Sequence, residues 1–348
     1  MILSRQSITN VSLDSAGLIA LADLTTVSER TALIGTSWYL DALFLAPGLH
    51  RQQYASEVNG GELPVAGAMT NGYVFRIENQ ATVFWMQRAG CPGHLVQARV
   101  GPMDLSPRSP EPIESASLLG GSSESSNATQ RRRRILSELR QRSFALYAIG
   151  VALTVTCFAV LGSIRDYWAV GVLAMLVTAR LVNVIVFRRR AVVGWKGEKE
   201  PGAHGDLLVL LSQDRWVRLR GTVDDLKLVT SGQWVRDMET VENFAVAGAT
   251  LLVYGAAALA PNASTVGSLF IAVLLLLSAA LLGLCNAVTA DLCMFNRRVY
   301  EDGPPQKYTR RTDMAEEMIR EHGGWRGWAV SMGLVLAKPG EIDTKVII

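Results

Sequence analysis

Hydrophobic residues in this chain gather into long unbroken runs instead of recurring at two- to four-residue intervals. Four runs approach the length of about 20 residues that a helix needs to cross a bilayer core of about 30 Å. Residues 144–164 carry no charge, 167–187 carry only Arg180, 241–260 carry Glu242 near their start, and 266–288 are the most apolar. A buried helix in a soluble core is the alternative for any one run, but four of this length favour spans. The pattern therefore predicts an α-helical integral membrane protein with four transmembrane helices. They fall into two hairpins, 144–187 and 241–288, separated by the loop 188–240.

Outside the spans the pattern changes to short elements, predicting a mixed α+β portion. Within 1–102, residues 13–24 and 28–46 read as helices, the second capped by Ser28 and ended before Pro47. Residues 73–77 and 81–86 alternate as two strands of a hairpin around Glu78-Asn79-Gln80. The stretch 32–46 is apolar but short and is interrupted by Asp41. It reads as a helix in a cytoplasmic domain, with a re-entrant or surface-lying role as the alternative. Residues 103–143 predict a disordered linker rich in Ser, Pro, Gly and Glu, ending in a basic juxtamembrane segment. In 188–240, a strand at 207–211, a turn at Ser212-Gln213-Asp214 and a second strand with Val217 and Leu219 precede a helix opened by Thr222. The C-terminal segment 289–348 predicts a helix at 313–322, then a strand or interfacial stretch at 325–336. Three pieces with strand signals on one side of the spans suggest a single composite domain.

Composition narrows the class. The chain has 348 residues, 49% hydrophobic and only 19% charged, which excludes an ordinary cytosolic enzyme, a disordered chain and a collagen-like chain. Lys+Arg 34 nearly cancels Asp+Glu 31, so the charge balance does not suggest a nucleic-acid binder. Four cysteines in this length make no disulfide framework. Orientation follows from where the cations sit. Arg131, Arg132, Arg133, Arg134, Arg140 and Arg142 precede the first run; Arg188, Arg189, Arg190 and Lys196 follow the second; Arg297, Arg298, Lys307, Arg310 and Arg311 follow the fourth. The opposite turns hold only Arg165 and Asp166, or no charge. Both termini and the middle loop are expected in the cytoplasm, with the organelle open between plasma membrane and endomembrane. The start MILSRQSITN is not a secretory signal. The sequon at Asn262 lies in an outer turn expected to be too short for modification, and those at Asn10 and Asn127 fall on the cytoplasmic side.

Candidate chemistry is sparse. Counted at the helical rise, Arg180 lies about 12 Å inside Arg188, with Glu242 and Asp291 each about 9 Å inside their basic flanks. These three could share one depth, with Asn183, Asn243 and Asn286 nearby. Such a group reads either as an intramembrane polar site for an ion, proton or headgroup, or as a structural pair or snorkelling arginine. Small residues at Ala279, Gly283 and Ala287, and at Ala245, Ala249 and Gly255-Ala256, suggest packing faces or ordinary enrichment, and leave homo-oligomerisation open. The run Arg131–Arg134 is topogenic by position and is also suited to anionic lipid. Ser137 resembles a basophilic kinase site, while Ser106 and Ser109 precede prolines. Four histidines (His50, His94, His204, His322) have no metal-ligand spacing, and no phosphate loop, nucleophile elbow or cofactor motif appears. The triple His204-Gly205-Asp206 reads as a turn, with a catalytic role as the alternative. No catalytic residue, metal or cofactor is therefore expected.

The stretch GDLLVLLSQDRWVRLRG, followed by VTSGQW, resembles a family of uncharacterised multi-pass membrane proteins of filamentous fungi. The resemblance extends over the spans and the middle loop, implies a eukaryotic host and brings no activity. The expected role is a non-enzymatic membrane scaffold or regulatory subunit that presents its cytoplasmic portion to a protein partner. The alternative is a small channel or transporter using Arg180, and a lipid-modifying enzyme ranks third.

Overall fold

The computed structural model describes residues 24–103 and 124–337. Eight strands are given by β1 Val65–Ala68, β2 Val74–Arg76, β3 His94–Pro102, β4 His204–Leu211, β5 Arg215–Thr222, β6 Leu292–Met294, β7 Arg297–Glu301 and β8 Gln306–Lys307. They form one sheet in the order β2-β1-β4-β5-β3-β7-β6, with β8 also on β3. The segment before the spans contributes β1 to β3, the middle loop β4 and β5, and the last segment β6 to β8. The composite domain expected from three separated pieces is therefore one continuous sheet. The β4–β5 turn matches its prediction, with Gln213 and Asp214 at φ of 60° and 55°, the left-handed backbone that a tight hairpin needs.

Nine α-helices are described: α1 Thr26–Leu33, α2 Gln80–Ala89, α3 Glu124–Ser163, α4 Tyr167–Arg190, α5 Val223–Thr230, α6 Thr240–Leu259, α7 Thr265–Val288, α8 Arg311–Glu321 and α9 Gly327–Ser331. As expected, Thr222 caps α5 by accepting the Asp225 N–H at 3.2 Å. The strand expected at 81–86 is instead α2. Asn79 accepts the Thr82 N–H at 3.2 Å and so starts a helix, because alternation over six apolar residues does not separate the two periods. The helix expected over 28–46 stops at Leu33. Gly35 takes φ +67° and passes tightly against the Cys293 and Met294 backbone, and the chain continues as 3-10 turns Tyr39–Leu43 and Leu49–Glu57. At the other end of the chain, 325–336 holds the short helix α9 in place of a strand. Helix α3 starts at Glu124, so the basic run lies within a helix and not in a linker. The expected helix at 13–24 and most of the linker lie outside the described residues, apart from Leu24.

Among the described residues, four stretches are long and apolar enough to cross a membrane: Arg142–Ser163, Tyr167–Arg190, Thr240–Asn262 and Thr265–Val288. Within this bundle α3 packs mainly along α7, and α4 along α6, so the closest partners are across the hairpins and not within them. Phe144, Phe244, Leu251 and Leu276 point outward and are exposed, while Leu173, Leu176, Val253 and Ala256 close the interior. The packing face of α7 runs through Ser268, Ile271, Leu275, Ser278, Leu282 and Cys285. The stripe Ala279, Gly283 and Ala287 is not that face: a methyl added at Gly283 would meet nothing within 4 Å.

The segment between α1 and β1 does not stay with the sheet. Leu45 and Leu49 join the apolar core of α4 and α6, and Phe44 stacks on Tyr147 of α3 at 5.4 Å. Gly150 leaves the room that the Phe44 ring fills. Of the two readings of 32–46, packing favours the one in which it enters the bundle, from the end that carries the sheet. On the far face of the sheet, Met314, Met318 and Trp328 from α8 and α9 cover Leu95, Leu208 and Trp216.

Candidate functional site

Arg180 sits in the interior of the bundle at 2% exposure. A guanidinium there needs acceptors, and all come from the entering segment. Its Nε donates to the Asp41 carbonyl at 3.2 Å and its Nη1 to Gln52 Oε1 at 2.5 Å. The Asp41 carboxylate accepts from Tyr147 Oη at 2.5 Å, and from Ser37 Oγ and the Trp38 N–H at 2.7 Å each. Gln52 Nε2 closes the ring by donating to Ser37 Oγ at 2.7 Å. Asp41 and Arg180 are thus neutralised within one cluster, held by three donors and by a carbonyl instead of a direct ion pair.

The 3-10 geometry of Leu49–Glu57 explains how neighbouring glutamines serve two places. Residues three apart eclipse in a 3-10 helix, which puts Leu49, Gln52 and Ala55 on one buried edge and turns Gln53 to the next. Gln53 Nε2 donates to the Asn183 carbonyl at 2.8 Å, and its Oε1 accepts from Arg190 Nη1 at 2.8 Å. Arg190 Nε donates to the Arg236 carbonyl at 2.9 Å, and Arg236 Nη2 meets Glu242 Oε1 at 2.6 Å. Two bonded groups therefore meet at adjacent glutamines: Tyr147, Asp41, Ser37 and Arg180 gather around Gln52, and Asn183, Arg190, Arg236 and Glu242 follow from Gln53. Beside them, Arg188 donates to the Ser37 carbonyl at 2.8 Å and lies over the exposed Tyr39 ring at 4.5 Å.

The sequence-predicted residues are only partly brought together. Arg180, Asn183 and Glu242 join through the glutamine pair. Asp291 does not share their depth: α7 ends at Val288, and Asp291 precedes β6 and pairs with Arg298 at 2.6 Å. Asn286 donates to the Thr26 carbonyl at 2.8 Å, tying α7 to α1, and Asn243 is exposed. The backbones of Arg131, Arg132, Arg133, Arg134 and Ser137 lie in α3, while Ser106 and Ser109 fall outside the described residues. Ser37, Gln52, Gln53 and Tyr147 were missed. The only signal was Asp41 inside an apolar stretch, and its partner Tyr147 is 106 positions away.

The sheet carries a second concentration of polar groups. The triple His204-Gly205-Asp206 opens β4 and is not a turn. Asp206 accepts from Arg218 Nε and Nη2, and Arg218 Nη1 reaches Glu321 Oε2 of α8 at 2.7 Å. Burial alone would push the Arg218 guanidinium down, but its bonds to Asp206 and Glu321 outweigh burial and hold it charged, above the ordinary arginine value. Beside this, a cleft of about 570 Å³ lies between β2 and α5, with Ala68, Gly205 and Leu207 among its lining. That size falls in the range of ordinary ligand sites. Among the described residues, no group of three or more His, Cys, Asp or Glu is placed to hold a metal.

Fold and site together define a class: four helices of membrane-spanning length, joined through a buried polar cluster to a composite α/β sheet with an open cleft. No protein-family model matches the chain, and no curated protein and no solved structure matches it either.

Proposed function

We propose that this protein is a multi-pass membrane scaffold or regulatory subunit without catalytic activity of its own, which presents the sheet domain to a protein partner on the cytoplasmic side. One observation carries the reading: the polar groups buried in the bundle bond to the segment that leads into the sheet, so that segment fastens the bundle to the sheet. Arg180, Asn183 and Arg190 all end on Asp41, Gln52 or Gln53. A rigid joint of this kind suits a module that holds a surface at a fixed place above a membrane. The basic flanks support the cytoplasmic placement of both termini, and Arg131 to Arg134 would add attraction to anionic lipid.

The test is purification of the tagged full chain from its native membrane in mild detergent, followed by mass determination. A stoichiometric second polypeptide is the expected result. A homo-oligomer without a partner, together with ion or solute flux that disappears in Arg180→Lys at unchanged melting temperature, would replace this reading with a channel or transporter.

A further inference from the structure

Among the described residues the strand order ends on β2, so one side of that strand has no neighbouring strand there. Register fixes which of its backbone groups face that side. Ala66 pairs with Phe75, the Ala68 N–H reaches the Tyr73 carbonyl at 2.8 Å, and the Ile77 N–H reaches the Pro64 carbonyl at 3.0 Å. Tyr73, Phe75 and Ile77 therefore bond inward. By the alternation of an antiparallel ladder, the N–H and C=O groups of Val74 and Arg76 face outward. The next outward donor, the Glu78 N–H, is met at 3.3 Å by the Thr230 carbonyl at the end of α5. Among the described residues the chain thus supplies one rung of a neighbouring strand and goes no further.

The cleft continues from that rung. Successive strand residues point to opposite faces, yet Phe75 and Arg76 both line it. A hollow lined from both faces lies along the strand's edge. Its opposite wall is α5, and its floor is kept low by small residues: a methyl on Gly205 would come within 2.6 Å of Leu226 Cδ1. Tyr73 and Phe75 stack at 5.8 Å and form an aromatic wall. Charge is uneven. Lys227 is paired with Glu200, which neutralises the α5 wall, whereas the exposed Arg76 has no hydrogen-bond or ion-pair partner among the described residues.

We propose that the groove between β2 and α5 binds an extended segment of the partner polypeptide as an added strand on β2. One apolar side chain sits against Tyr73 and Phe75, and an acidic side chain next to it meets Arg76. Outward donors and acceptors repeating every second residue are what an extended main chain satisfies; a compact small molecule has no use for that row. In this mode main-chain bonds give the affinity and alternate side-chain pockets the specificity. The inference rests on the scaffold reading and names the chemistry of its partner.

The full chain in detergent is offered to a displayed library of random short peptides, and labelled synthetic copies of those recovered are titrated. Recovered peptides are expected to alternate apolar residues and to carry an acidic residue beside the central one. N-methylation of the peptide amides that bond to β2 should weaken binding about tenfold or more, on the unaltered protein. Val74→Pro should do the same without lowering the melting temperature, because an edge strand tolerates proline where the N–H faces away from the sheet. Arg76→Glu should turn the acidic preference to a basic one. A library that returns no binder overturns the proposal, as does binding untouched by N-methylation, which would mark a side-chain or small-molecule pocket instead. Peptide binding is read on the isolated chain, so it can fail while a partner still co-purifies, and the reverse outcome sinks only the scaffold reading.

Discussion

Asp166 at the far turns of the bundle is fully buried, and Arg180 toward the sheet is nearly so, but they are partnered by different means. Asp166 caps α4 by accepting the Ala169 N–H at 3.3 Å, and its other oxygen accepts from the Ser264 N–H at 2.9 Å and from Ser264 Oγ at 2.5 Å. Ser264 Oγ in turn accepts the Gly267 N–H at 3.1 Å and caps α7. Everything Asp166 needs comes from two short turns and the helices they start. Arg180 takes its acceptors from residues 139 and 128 positions upstream. Where turns are tight, a bundle can satisfy its own helix ends. Its opposite end has no such turns and is closed by a borrowed segment, which makes that end the joint with the sheet. Damage at the far turns should therefore stay local, and damage near Arg180 should spread.

The largest effect is expected for Arg180→Leu. It strands Gln52 Oε1 and the Asp41 carbonyl and removes the cation nearest the Asp41 carboxylate, at about 1–3 kcal/mol for each buried acceptor left without a donor. Thermal unfolding in detergent should show the loss, and limited proteolysis should open residues 37–58 before the bundle itself. A melting temperature equal to the unaltered chain, with 37–58 still protected, would show that the cluster does not hold the joint.

Gly267→Val tests the opposite end. A methyl there would come within 2.8 Å of Ala169 Cβ and closer still to Asp166. Overpacking of this kind costs about 1–3 kcal/mol. Protection of 37–58 should be unchanged, because the hydrogen bonds of Asp166 and Ser264 stay within the two far turns and the helices they start. Proteolysis spreading to 37–58 would contradict the division into a self-sufficient end and a borrowed one.

What the sequence could tell divides along the same line. The four long helices, the β4–β5 hairpin and the cap at Thr222 each depend on neighbours within a few positions, and each was legible. Residues 80–89 misled because a six-residue apolar alternation fits a strand as well as a buried helix face, and only Asn79 as a cap decides it. The buried cluster was half legible. Arg180 announced itself as a charge in an apolar run, but nothing local indicates that Gln52 and Gln53 turn toward α4. Asp291 was placed too deep because the chain leaves its helix at Thr289, a stop that carries no glycine or proline.

A smaller effect separates the sheet from the bundle by acid. Glu62 Oε1 accepts the Ser212 N–H at 2.6 Å, and Oε2 accepts from Gln87 Nε2 at 2.5 Å. Burial would raise its pKa, but these bonds and the Arg215 charge outweigh it and hold the carboxyl below the ordinary value of 4.5. A depressed carboxyl contributes stability above its unfolded pKa and loses it as pH falls through the folded one. The sheet should weaken below about pH 4.5, and Glu62→Gln should flatten that part of the profile, by less than about 1 kcal/mol at so accessible a site. A profile identical in both chains would remove Glu62 from the account.

The smallest expected change is none at all, and it bears on how firmly the far turns are closed. Asn262-Ala263-Ser264 is a sequon, and in the proposed orientation it faces the lumen or exterior, where modification takes place. Ser264 Oγ, however, already donates to Asp166 and accepts from Gly267, and Asn262 Nδ2 donates to the Leu259 carbonyl at 3.3 Å. Both side chains that the modifying enzyme must engage are committed to the turn. In a eukaryotic host Asn262 should stay bare, with no mobility shift on deglycosylation. Asp166→Ala removes the acceptor that holds Ser264, at about 0.5–2 kcal/mol for a lost cap, and should let partial occupancy appear. Glycan on the unaltered chain would mean that the far turn opens freely, and the contrast with the borrowed end would then be one of degree.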